Sequence, residues 1–251
     1  MSLVQHRGLF WVLYKREFRT KTAGTTLGVF WLVGQQALQV VALWFLIDVI
    51  LKVRFPSETP FINYLLVGII PWLLISEVLS RSTGLFQEYS DLFKRTIFPL
   101  EILPLLNMTF SLSIFLVIYL FIVFILNGWL SLFLSLLVFF VLFLWLLPLV
   151  YLFATLGVFI KDFGKVMPFL LTMMMYLSPI LHMPMLVPEK YQIYLIFNPI
   201  ADVMSAIHSV INDHQLPIIN VSIRLFLEWF ILLAPSWLFF KRAEKHIRDI
   251  V

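Results

Sequence analysis

The chain contains no cysteine, which excludes disulfides and thiolate-bound metals and leaves no mark of a redox compartment. Charge is scarce as well: Asp, Glu, Lys and Arg make up 13% of the 251 residues, against roughly 25% in a soluble domain. The nine glycines are scattered, no Gly-rich loop forms, and Gly-x-x-x-x-Gly-Lys-Ser/Thr does not occur. The chain therefore carries no phosphate cradle of its own. The five histidines (His6, His182, His208, His214, His246) lack metal-ligand spacing, and His208 and His214 do not share a helix face. Neither Gly-x-Ser-x-Gly nor a paired acidic motif points to hydrolysis. Met1-Ser2-Leu3-Val4-Gln5-His6-Arg7 lacks the apolar run and cleavage site of a signal peptide, so insertion is expected to rely on later hydrophobic stretches. No internal repeat is strong enough to argue for an inverted-repeat carrier.

What is abundant is apolar surface. Hydrophobic residues are 61% of the chain, more than a water-soluble fold of this length can hide. A spanning helix needs ~20 apolar residues to cross ~30 Å of hydrocarbon. Six stretches qualify, and the expected fold is all-α and integral to a membrane. The spans are expected at 27–51, 61–84, 100–126, 129–160, 165–183 and 221–241. Asn127-Gly128 separates the third from the fourth. The fourth is too long for one untilted crossing; a bend at Pro148 or Gly157, or emergence of its last turns, would accommodate it.

An even number of spans puts both termini on one side. Fourteen of the 18 basic residues fall on that side, and only Lys52, Arg54, Lys190 and Arg224 fall on the other. By the positive-inside rule both termini are expected to be cytoplasmic, in an inner (plasma) membrane. The net charge of +4 is thus explained by topology, and no nucleic-acid partner is expected.

Three segments are not expected to span. Residues 1–24 mix apolar positions (Leu9, Leu13, Phe18) with Arg7, Lys15, Arg16, Arg19 and Lys21 at helical spacing, as an amphipathic helix at the interface does. Residues 86–95 form a short mixed-charge helix between spans two and three. Residues 186–213, with Pro188 and Pro199, form an external stretch of two short helices that Asn198-Pro199 breaks apart.

Ionisable residues in spans are costly and are functional candidates by default. Asp48, Glu77, Arg81, Glu101, Arg224 and Glu228 are such residues. Glu77 and Arg81 are spaced i,i+4, as are Arg224 and Glu228, and each pair is a candidate ion pair along its own helix. Aromatics are plentiful, with 26 Phe, 8 Trp and 8 Tyr. Many mark an interfacial belt. Tyr176, before Ser178-Pro179, is a candidate to line a pathway and stack on sugar rings.

Several motifs, in order along the chain, resemble ABC type-2 transporter permeases, closest to those exporting O-antigen, capsule and teichoic-acid polysaccharides. They are Thr25-Thr26-Leu27-Gly28-Val29-Phe30-Trp31, Tyr64-Leu65-Leu66-Val67-Gly68-Ile69-Ile70-Pro71-Trp72 and Lys94-Arg95-Thr96-Ile97-Phe98-Pro99-Leu100-Glu101. Lys161-Asp162 resembles the family's basic-acidic turn, with Lys161 where Arg is usual. Ser178-Pro179-Ile180, Val187-Pro188-Glu189-Lys190-Tyr191 and Asn198-Pro199-Ile200 complete the set. The resemblance implies a half-transporter that forms a homodimeric channel over two copies of a cytoplasmic ABC ATPase. That partner would carry the ATP and Mg, and this chain would hold no cofactor and no catalytic residue. The segment 86–95 would be the coupling helix, meeting the ATPase through Gln87, Glu88, Tyr89, Asp91, Leu92, Phe93 and Lys94. Residues 186–213 would be external gate helices.

The implied cargo is a lipid-linked, O-antigen-like polysaccharide. Its anionic diphosphate headgroup would arrive near Arg7, Lys15, Arg16, Arg19 and Lys21, residues that topology and anionic membrane lipids would equally require. A small-drug, antibiotic or lipid exporter is the nearest alternative. A membrane-embedded glycosyl or phosphoryl transferase is disfavoured because cytoplasmic acids are scarce outside 88–91.

Overall fold

The computed structural model describes residues 7–24, 28–50, 52, 61–95, 98–184, 187–196, 198–217 and 219–250. Among these, α-helix is the dominant element and no strand occurs. The helices are α1 (Arg7–Thr22), α2 (Val29–Trp44), α3 (Phe61–Ser82), α4 (Leu85–Glu88), α5 (Ser90–Arg95), α6 (Ile102–Asn127), α7 (Trp129–Phe159), α8 (Phe163–Leu177), α9 (Glu189–Ile196), α10 (Pro199–Ile211) and α11 (Ile219–Ile250). The architecture is that of a multi-pass membrane protein.

Among the described residues, four helices are long and apolar enough to cross a membrane: α3, α6, α7 and α11. The bent pair α9 and α10, at 97°, would make a fifth if it counts as one broken span. The other two expected spans are less regular. After Trp44, α2 changes to π-helical spacing over Phe45–Ile50, and Leu27 and Leu51 lie outside the described residues. Helix α8 has only 15 residues, about 22 Å at 1.5 Å per residue. It stops because Ser178 precedes Pro179 and adopts an extended backbone (φ −105°, ψ 154°), as steric contact with the proline ring requires.

Helix α3 is the hub. Of its apolar stretch 72% is buried, against 11% for α11, whose apolar surface is largely exposed. Polar side chains inside the bundle are tied to backbone. Tyr119 donates to the Val67 carbonyl (3.2 Å), Asn107 to that of Val78 (3.1 Å) and Tyr151 to that of Glu101 (2.7 Å). Unpaired, such groups would be costly in hydrocarbon. The turn from α6 to α7 takes a single residue, Gly128, whose φ of +79° lies where glycine is favoured.

Pro148 does not break α7, which runs unbroken for 31 residues, about 46 Å. That exceeds the ~30 Å of hydrocarbon by several turns, and the last turns of α7 pack away from the core around α3. There they join a second, smaller core distinct from the one around α3. It gathers Leu13 of α1, Leu85 and Phe86 of α4, Phe98, Ile102, Tyr151 and Val158, and Phe240 and Ile247 of α11.

Candidate coupling surface

The segment between α3 and α6 is two helices, α4 and α5, not the single helix expected over 86–95. Tyr89 divides them, with φ −104° and ψ 12°. The break follows from what Tyr89 does. Its side chain turns inward, is 7% exposed, and its hydroxyl donates to the Glu17 carboxylate of α1. Burial, and then the bond to Glu17, push its pKa up, so it remains a protonated donor. Arg81, in the last turn of α3, reaches the same carboxylate at 2.5 Å. It also grips Glu88 with two nitrogens, Nη2 at 2.8 Å and Nε at 3.2 Å. Glu17, Arg81, Glu88 and Tyr89 thus form one network that fastens α1, the end of α3 and α4 together.

On the other flank Gln87 donates from Nε2 to the Gly157 carbonyl of α7 at 3.0 Å. That carbonyl lies within the last turn of α7, where helix geometry leaves acceptors without partners. Helix α11 closes the far side: Lys241 pairs with Glu101 (2.6 Å), and Arg248 donates to the Phe98 carbonyl (2.5 Å). The α4–α5 segment is therefore braced by α1 and α7, and Leu85 and Phe86 anchor it in the small core, where the Phe86 ring stacks on Phe240 of α11. Asp91 and the outer edge of Glu88 face outward, and Leu92 is half-buried against the core.

Of the seven residues expected to meet a partner, Tyr89 is buried, with its hydroxyl on Glu17. The side chains of Phe93 and Lys94 lie outside the described residues. Arg7, Lys15, Arg16 and Arg19 are exposed on α1, as a headgroup site needs. Lys21 is not part of that row: it turns to Glu77 at 3.7 Å and lies over the Phe110 ring. Tyr176 is 62% exposed on α8, beside Met173 and Phe169.

The expected intrahelical pairs have other partners. Arg81 binds Glu17 and Glu88 rather than Glu77, which turns to Lys21 and Ser111. Arg224 binds Asp202 of α10 through both carboxylate oxygens (2.5 and 2.6 Å) rather than Glu228, whose Oε2 is buried without a hydrogen bond. Glu17 and Asp202 are buried, at 5% and 4% exposed, whereas Glu77 and Glu228 are half-buried, so Glu17 and Asp202 are the carboxylates that would cost most if left without a cation. The side chain of Asp48 lies outside the described residues. Sequence reasoning missed Glu17 altogether. Its signal was present: it is the sole acid of α1 and follows Leu9 and Leu13 at intervals of four, on the apolar stripe.

At the opposite end, α9 and α10 meet at Asn198. Its Oδ1 caps α10 by accepting from Ile200 N (3.1 Å), and its Nδ2 donates to Ser178 Oγ (2.9 Å). Tyr64 of α3 donates to the carbonyls of Pro179 and His182, and His208 of α10 stacks flat on its ring at 3.8 Å. Gly68 makes room: a Cβ there would sit 2.8 Å from His208 Nε2. Among the described residues no cluster of three His, Asp or Glu could hold a metal ion.

No protein-family model matches the chain. It is similar over nearly its whole length to the O-antigen export system permease protein RfbA of Myxococcus xanthus, at 25% identity over 99% of this chain and 98% of the relative. The O-antigen export system permease protein RfbA of Klebsiella pneumoniae is 23% identical over 96% and 93% of the two chains. The polysialic acid transport protein KpsM of Escherichia coli is 25% identical over 76% of each. The resemblance carried by the motifs thus extends end to end, and the relatives are named for export and transport.

Proposed function

We propose that this chain is the transmembrane permease subunit of an ATP-driven exporter that moves a lipid-linked, O-antigen-like polysaccharide across the inner membrane. Two copies form the channel, each crossing the membrane six times with both termini cytoplasmic. Two copies of a separate ABC ATPase bind beneath, and ATP with Mg is consumed there. The observation that carries this reading is the end-to-end similarity to O-antigen export permeases. The braced segment α4–α5 supports it physically. A surface that receives a push must be stiff behind and open in front, and this one has a packed core behind it and Asp91 in front. ATP-driven closure of the partner would then shift the dimer between closed and open states.

Deleting the gene tests the cargo. Polysaccharide should disappear from the cell surface while its lipid-linked form accumulates inside. Normal surface polysaccharide with increased sensitivity to a small drug would instead favour the drug-exporter alternative. Purified chain should hydrolyse no ATP unless its partner is added; robust hydrolysis by the chain alone would sink the subunit assignment.

A further inference from the structure

The turn Lys161-Asp162 links α7 to α8 and is flanked by two glycines with one neighbour in common. The α3–α4 turn, Thr83-Gly84, lies directly on Gly157: a Cβ at that position would overlap the carbonyl oxygen, carbonyl carbon and Cα of Thr83. No residue but glycine fits there without moving backbone. Seven residues on, a Cβ at Gly164 would lie 3.2 Å from Thr83 Oγ1 and 3.9 Å from Thr83 Cβ. The Gln87 bond to the Gly157 carbonyl closes the contact from the α4 side. Thr83 is 5% exposed and is itself held by a 2.7 Å bond from its hydroxyl to the Ser80 carbonyl. Backbone packed on backbone leaves no side-chain rotamers to absorb a displacement.

We propose that Thr83, Gly157 and Gly164 form a rigid joint through which α4–α5 moves α8, so that these three residues position the pathway helix. The proposal rests on the permease reading and names the route by which the partner's movement enters. Helix α8 is suited to the receiving role. Phe169, Met173 and Tyr176 are exposed along it, and its far end runs into Ser178-Pro179, which Tyr64 and Asn198 hold against α3 and α10. A push at α4 that reaches Gly164 therefore turns both the exposed face of α8 and the seat of α10. A flexible side-chain contact at Gly157 would dissipate it.

The cysteine-free chain makes the test direct. A Thr83→Cys/Gly164→Cys pair has its Cβ atoms at about the 3.9 Å separation that a disulfide requires. Gly164→Leu is the opposite change, a wedge that drives Thr83 off α8. Reporter cysteines are placed in parallel chains at Ser90 on α5 and Met173 on α8. Their rates of maleimide labelling are then read in membranes containing the full exporter, with and without ATP. In the parent chain ATP should change both rates by about threefold or more. Gly164→Leu should abolish the response at Met173→Cys and leave that at Ser90→Cys. The oxidised pair should keep both responses, because a rigid joint is not harmed by a lock.

Three results would overturn the joint: a pair that does not oxidise, a Met173→Cys response that survives Gly164→Leu, or one that the lock silences while Ser90→Cys still responds. A parent chain in which Ser90→Cys ignores ATP would overturn the permease reading itself, and with it the joint's role. If the wedge prevents insertion, the locked pair still decides.

Discussion

Both ends of the bundle fasten a short helix to α3, but by different chemistry. At the basic end α4 is tied to α3 and α1 by charge, through Arg81 between Glu17 and Glu88, while Lys241 on Glu101 and Arg248 on the Phe98 carbonyl tie α11 to the residues just before α6. At the far end α10 is held to α3 by a neutral Tyr64–His208 stack, Tyr64 donates to two carbonyls of the segment after α8, and an asparagine caps α10. Arg224 and Asp202 add an ion pair there, but between α10 and α11. The charged attachment is expensive to break and fixes relative position. The neutral one can separate without stranding a charge.

The largest expected effect tests the charged attachment. Arg81→Met leaves Glu17 buried without its cation and should cost about 3–5 kcal/mol, read as a fall in the thermal unfolding midpoint of the detergent-solubilised protein. Adding Glu17→Leu should recover part of that loss; a strictly additive pair would show that the two residues do not share a network. Tyr89→Phe removes one hydrogen bond to a charged group and should cost roughly 1.5–3 kcal/mol. If the unfolding midpoint does not change, Tyr89 is not the buried donor described above.

At the far end Gly68→Ala overpacks His208 and should cost roughly 1–3 kcal/mol. Its distinguishing sign is faster proteolysis around 187–196, showing α10 loosened from α3 before the bundle melts. The smallest effect belongs to Asn198→Ala, about 1 kcal/mol for a lost helix cap. An Asn198→Ala loss larger than that of Arg81→Met would invert the comparison between the two ends.

Much of the fold was legible as hydrophobic length. Residues 61–84, 100–126, 129–160 and 221–241 were read from their apolar runs, and α3, α6, α7 and α11 occupy them. The bend at Asn198-Pro199 was readable because proline restricts both itself and the residue before it. The shortness of α8 was less so, since the apolar pattern continues to Met183 past the point where Ser178 leaves the helix. The segment 86–95 could be placed by its polarity between two spans, but not its inward and outward faces. Tyr89 reads as a surface aromatic until α1, some seventy residues away, supplies Glu17.

Composition and periodicity by themselves determined the solvent of this protein, the number of hydrophobic runs and how its basic residues are spread over the segments between them. Those are one-dimensional properties, set by how many apolar residues lie between polar ones. Only the tertiary structure decided who pairs with whom. Arg81 had an acid four residues away and chose one 64 positions back, and Gly157 is a glycine because a turn more than seventy residues earlier lies on it. Ion pairs and backbone contacts depend on distance in space and on desolvation by the neighbours, and neither is written in the spacing of one helix.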